Sequence, residues 1–212
     1  MKKLLFNQLL LPSVLDRSKT MTRREVKCPH NAYGGLQAVI DPVTKDVLYM
    51  RALDEDERAE KPNGEEWVVP TRYSKGEIVY IPEPYSLILN IKGDDLTPIY
   101  KIGNNPANFS DIRWQNSMFM PQKYARTFAE ITSVRIERLQ DISEEDCLKE
   151  GIFSNALETK FGLPSSDKTE LKFIFGTNLK AAFAALIDKV CKKGTWMSNP
   201  FVEVYEFKLI EK

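Results

Sequence analysis

The sequence predicts a mixed α+β fold: a small β-barrel with helices packed outside it. Three observations carry this expectation. Strand-like segments are many and short, helix-like segments are few, and an extended apolar segment stands at each end of the chain. Terminal strands that pair help to close a sheet and remove its exposed edges. The length, 212 residues, fits one domain with insertions.

In order along the chain, Lys3 to Phe6 is a short apolar run expected as a strand, and Leu11 to Arg17 reads as one or two helical turns with Pro12 in the first. Ser18 to Arg24 alternates Thr20 and Thr22, which suits an extended segment. Leu36 to Ile40 and Val47 to Arg51 predict a hairpin around Asp41 to Lys45. Asp54 to Glu66, acidic and containing Pro62-Asn63-Gly64, reads as a solvated loop. Trp67 to Val69 and Glu77 to Ile81 are short strands, and Leu87 to Ile91 with Pro98 to Ile102 make a second hairpin. Met118, Phe119 and Met120 are expected in the core.

Tyr124 to Leu139 is the longest strand, with Phe128, Glu130, Thr132, Val134 and Ile136 on one side by period two. Ser143 caps a helix that ends at Gly151, where a left-handed residue belongs. Asn178 to Lys193 is amphipathic, with Leu179, Phe183, Leu186, Ile187 and Val190 at helical spacing. Phe201 to Ile210 alternates as the final strand.

Composition excludes several classes. Lys plus Arg equals Asp plus Glu at 30 each, so there is no basic excess for coating nucleic acid, although a local basic pocket remains open. At 42% hydrophobic the chain has the apolar surface to fold. No apolar run is long enough for a transmembrane helix, and the N-terminus does not read as a signal peptide, so no membrane partner is expected. Three scattered cysteines, Cys28, Cys147 and Cys191, predict a reducing, cytoplasmic setting. The single histidine, His30, with Cys28 two residues away, falls short of a zinc ligand set, so no metal and no cofactor are expected.

Chemistry concentrates in three places. Ser18 to Lys27 holds Lys19, Arg23, Arg24 and Lys27 against Glu25 alone, and hydroxyl and basic groups together suit phosphate contacts. In an extended segment Thr22 and Arg24 share one face, and Lys19 and Arg23 the other unless a turn intervenes. Glu144, Glu145 and Asp146 suit the start of a helix, but Glu150 lies at its C-terminal end, where a carboxylate is disfavoured and calls for a cation. Trp196 and Asn199, before Phe201, suit base stacking and base-edge recognition, or equally a barrel lid.

These residues together resemble a family. Lys19-Thr20-Met21-Thr22-Arg23-Arg24, the strand around Phe128 to Val134, the run Leu139 to Asp146 continuing to Glu150-Gly151, and Asn199 to Phe207 look like the ASCH domain, in the type common in bacteriophages and prophages. The resemblance covers the first 27 residues and roughly 75–212, leaving 28–70 as an insertion. It implies a single PUA-like domain that binds RNA, a nucleotide or a modified nucleobase in a cleft at the barrel mouth. Some small bacterial members deacetylate acetylated cytidine with Lys, Thr and Glu, which Lys19, Thr22 and Glu150 match. On that reading these three are catalytic and Arg23, Arg24, Trp196 and Asn199 bind the ligand. The chain departs from the family at Arg17, where glycine often precedes the lysine by two residues. A third reading is a phage accessory protein in which the barrel is a scaffold for interactions.

Overall fold

The computed structural model describes residues 1–26, 35–40, 47–53, 68–89, 96–103, 112–154, 160–164 and 171–210. The strands are β1 (Met21–Glu25), β2 (Gly35–Ile40), β3 (Val47–Leu53), β4 (Val68–Val69), β5 (Ile78–Ile81), β6 (Tyr85–Leu89), β7 (Leu96–Tyr100), β8 (Thr127–Arg138), β9 (Phe153–Ser154), β10 (Phe161–Pro164), β11 (Leu171–Gly176) and β12 (Phe201–Ile210). The helices are α1 (Leu11–Leu15), α2 (Glu144–Lys149), α3 (Leu179–Val190) and α4 (Thr195–Ser198).

The central sheet is antiparallel and runs β1-β12-β8-β5. The N-terminal residues lengthen it in parallel beyond β5: Leu4 N donates to the Tyr80 carbonyl at 2.9 Å and Tyr80 N to the Lys2 carbonyl at 3.1 Å. Thus the strand expected at Lys3 to Phe6 is a bridge at the sheet edge. The two edges, residues 2–4 and β1, are close in sequence and joined through α1. Across the gap between them the Arg24 guanidinium donates to the Leu5 carbonyl. Among the described residues no sheet closes into a barrel; the mixed α/β character stands and the closed ring does not.

Each face of this sheet is covered. On one, Met21, Val202 and Val204 meet Leu139, Ile142 and Cys147 around α2, and Phe183 and Leu186 of α3. On the other, Ala129, Ile131, Val134, Tyr205 and Phe207 meet Leu4, Phe6, Leu11 and Val14. The side-chain alternation expected along β8 breaks once. Phe207 faces Ile131 while Glu206 faces Ser133, so Thr132 is an extra residue in β8. A bulge of this kind shifts parity by one, which puts Ala129, Ile131 and Val134 in the same core. Phe128 consequently packs with Tyr80, Tyr85 and Met120 in a third cluster.

The insertion forms its own three-stranded sheet, β2-β3-β4, and β6 pairs with β7 as the second expected hairpin. The expected loops at 41–45 and 54–66, and Cys28 and His30, lie outside the described residues. Of the Met118 to Met120 run only Met120 is buried. Asn116 Oδ1 accepts from Met118 N at 2.9 Å, starting a 3-10 turn over Ser117–Phe119 that leaves Met118 51% and Phe119 71% exposed. No helix among the described residues is long and apolar enough to cross a membrane.

Candidate functional site

Glu150 occupies the C-cap of α2, a helix that starts as expected with Ser143 Oγ accepting from Asp146 N at 3.1 Å. Gly151 follows at φ +92°. A Cβ there would stand 3.2 Å from the Lys19 Cβ, so glycine serves both the left-handed backbone and the close approach of Lys19. Lys19 Nζ donates to the Glu150 carbonyl at 2.9 Å and pairs with its carboxylate. Both side chains are buried, Lys19 to 1% and Glu150 to 4% exposure. The carboxylate at the disfavoured helix end has found its cation.

A second cation completes the arrangement. Arg23 Nη1 donates to Glu150 Oε1 at 3.0 Å, and its Nη2 reaches Glu137 Oε1 at 2.6 Å and Asp146 Oδ2 at 2.8 Å. Arg135 extends the network to Asp146, Glu137 and Glu206. Burial opposes charge on Arg23, but Glu150, Glu137 and Asp146 outweigh it and hold its pKa above the ordinary value. For Lys19 burial prevails over the attraction of Glu150, and the pKa falls below its ordinary value.

β1 divides its side chains between two faces. Met21 and Arg23 face the helices, and Arg23 Nη1 also touches the Met21 sulfur at 3.2 Å. Thr22 stands opposite Tyr205 and Arg24 opposite Glu203, on the other face. Thr22 is buried, and among the described residues no hydrogen bond joins it to Lys19 or Glu150. The structure therefore brings together Lys19, Glu150 and Arg23, and sets Thr22 apart from them. Arg17 takes φ 67°, in the left-handed region that a glycine adopts without strain.

Arg24 has a different environment from Arg23. Among the described residues it forms one hydrogen bond, to the Leu5 carbonyl, and it lies 5.5 Å from the Phe6 ring centroid. Among the described residues it has no ion pair: Glu203, across the strand pair, accepts instead from Arg72 N at 3.1 Å and lies near the Arg72 guanidinium. Arg24 lines a cavity of about 410 Å³ between the N-terminal segment, the Ser117–Phe119 turn and the end of α3. Phe6, Asn7, Asn116, Ser117 and Cys191 contribute to its wall, and among the described residues no acidic one does. Sequence reading missed these wall residues; only the Asn before each turn, Asn7 and Asn116, carries a local signal.

Trp196 and Asn199 lie elsewhere. Trp196 packs edge-on against Phe183 at 6.2 Å, and its carbonyl accepts from Gln140 Nε2 at 2.8 Å. Asn199 Oδ1 accepts from Gln140 N at 2.8 Å. Both tie α4 to the connection after β8, and neither lines the cavity. Among the described residues no cluster of His, Cys, Asp and Glu is arranged to hold a metal. Comparison with known proteins found no matching family model, no matching curated protein and no matching solved structure.

Proposed function

We propose that this protein is an ASCH-like module that binds a nucleotide, a modified nucleobase or an RNA end in the cavity beside Arg24. The observation that carries the reading is a half-buried arginine with no carboxylate partner among the described residues, at a cavity of about 410 Å³. Small-ligand sites span about 300–1,000 Å³, so the volume suits a mononucleotide. The Lys-x-x-Thr-x-Arg spacing of Lys19, Thr22 and Arg24 supports the same reading, and Arg24 reaches across the gap between the two open sheet edges.

Amidohydrolysis is the second reading, favoured by the contact between Lys19 and Glu150. Against it, both Glu150 oxygens are engaged by cations, and among the described residues Thr22 makes no hydrogen bond to either partner. A threonine nucleophile needs a base within hydrogen-bond reach. Purified protein challenged with nucleosides, mononucleotides and acetylated cytidine separates the two. Binding without turnover supports the module. Release of acetate, lost in Thr22→Ala, establishes the hydrolase, and a melt unmoved by every ligand overturns the binding reading.

A further inference from the structure

We propose that the cavity beside Arg24 recognises a phosphomonoester, so that its ligand enters by a terminal phosphate. This rests on the binding reading above and names the ligand class for that site. Arg24 presents a planar fork of donors of which one N–H is used, on the Leu5 carbonyl. Two amide side chains on the wall are oriented by the backbone. Asn7 Oδ1 accepts from Leu9 N at 2.9 Å, and Asn116 Oδ1 accepts from Met118 N at 2.9 Å. With their oxygens engaged in this way, each leaves its Nδ2 group to donate.

The wall thus brings donors from three separate chain segments to one cavity, and none of its described residues is acidic. A phosphomonoester offers three terminal oxygens and nearly two negative charges, and matches such a set better than a neutral base or a diester does. Lys3 adds a cation beside the turn, its Nζ donating to the Met118 carbonyl at 2.5 Å. Glu150, the acid whose charge acts on Arg24, is committed to Lys19 and Arg23, and Glu203, opposite Arg24 in the strand pair, accepts from Arg72 N through one oxygen. The apolar part of the wall, Phe6 and Met118 among it, gives a nucleoside body a surface to lie on.

The test is calorimetric titration of the full chain at fixed ionic strength with the four 5′-mononucleotides, the matching nucleosides and inorganic phosphate. Mononucleotides are expected to bind at least tenfold tighter than nucleosides, with inorganic phosphate competing. Arg24→Gln should erase that preference while leaving nucleoside affinity within about threefold. Asn116→Asp, which puts a carboxylate on the wall without touching Arg24, should weaken mononucleotides at least tenfold and nucleosides little. Melting curves report whether each variant is folded. Equal affinity for a nucleoside and its monophosphate, or an unchanged preference in both variants, overturns the proposal and leaves the binding reading standing. No binding of either class removes both.

Discussion

Arg23 and Arg24 are neighbours in one strand and have opposite surroundings. Arg23 reaches three carboxylates under α2 and stacks over Phe183. Arg24, one residue on, has a carbonyl, a phenyl ring and a cavity. The two-residue period of the strand sends them to different faces, and the charge supply of each face decides the outcome. Arg23, paired on every side, is architecture; Arg24 is the residue on which the binding proposal rests. The comparison also divides the predicted site: Lys19, Glu150 and Arg23 are on the closed side, Arg24 on the open one.

The closed side is where substitution should cost most. Arg23→Leu removes the buried cation that three carboxylates share and should lower unfolding free energy by about 3–5 kcal/mol, the usual cost of removing one member of a buried ion pair. Urea denaturation measures it, and a loss below about 1 kcal/mol would make the network incidental. Glu150→Gln keeps the shape but leaves the Lys19 ammonium facing an amide; about 3 kcal/mol should go in the same assay. Because Glu150 is what opposes burial at Lys19, the Lys19 pKa should fall further in that variant.

A pH series sharpens the comparison next. Cys147 lies beneath the network, and burial pushes its thiol up to about 11 from 9.0. Between these values the unfolded chain has released a proton that the folded one keeps, so stability should fall as pH rises from about 9 to 11. The loss from this group approaches about 2.7 kcal/mol. Lys19 contributes with the opposite sign: its folded pKa is lowered, so between that value and 10.5 its contribution rises with pH. Cys147→Ala should therefore flatten or reverse the alkaline slope, as urea midpoints across pH 8–11 would reveal; an unchanged slope would place the thiol in water.

The smallest effect concerns the open side. Cys191 is exposed and lines the cavity, whereas Cys147 is buried. In a Cys28→Ser background, iodoacetamide should label Cys191 in the folded protein and spare Cys147, as peptide mass mapping reads out. A saturating mononucleotide should slow Cys191 labelling several-fold. Labelling of Cys147 at a similar rate would mean that the helical face opens in solution.

Much of this was legible in the residues. The Ser143 cap, the Gly151 turn and the misplaced carboxylate at Glu150 are local signals, and they led to Lys19 because a helix end of that polarity calls for a cation. The alternation in β1 was equally plain. What the sequence hid is non-local. The extra residue at Thr132 shifts β8 by one and follows from its pairing with β12. The cavity wall is drawn from residues 5–8, 10, 24, 116–118 and 190–191, segments no spacing rule connects. Arg23 was read as a ligand contact because its three carboxylates come from β8 and α2. Trp196 and Asn199 had the composition of a recognition surface, and serve the packing of α4 through Gln140.

The most direct test of this division is urea denaturation of Arg23→Gln and Arg24→Gln beside the parent chain, each with and without a mononucleotide at 100 times its Kd. Without ligand, Arg24→Gln should stay within about 1 kcal/mol of the parent, and Arg23→Gln should lose about 3 kcal/mol or more. At 100 times the parent's Kd, ligand should add about 2.7 kcal/mol to the parent, a comparable increment to Arg23→Gln and about half of it, about 1.4 kcal/mol, to Arg24→Gln, whose affinity falls tenfold. The full increment in Arg24→Gln, or the larger loss of stability in Arg24→Gln than in Arg23→Gln, would contradict the account.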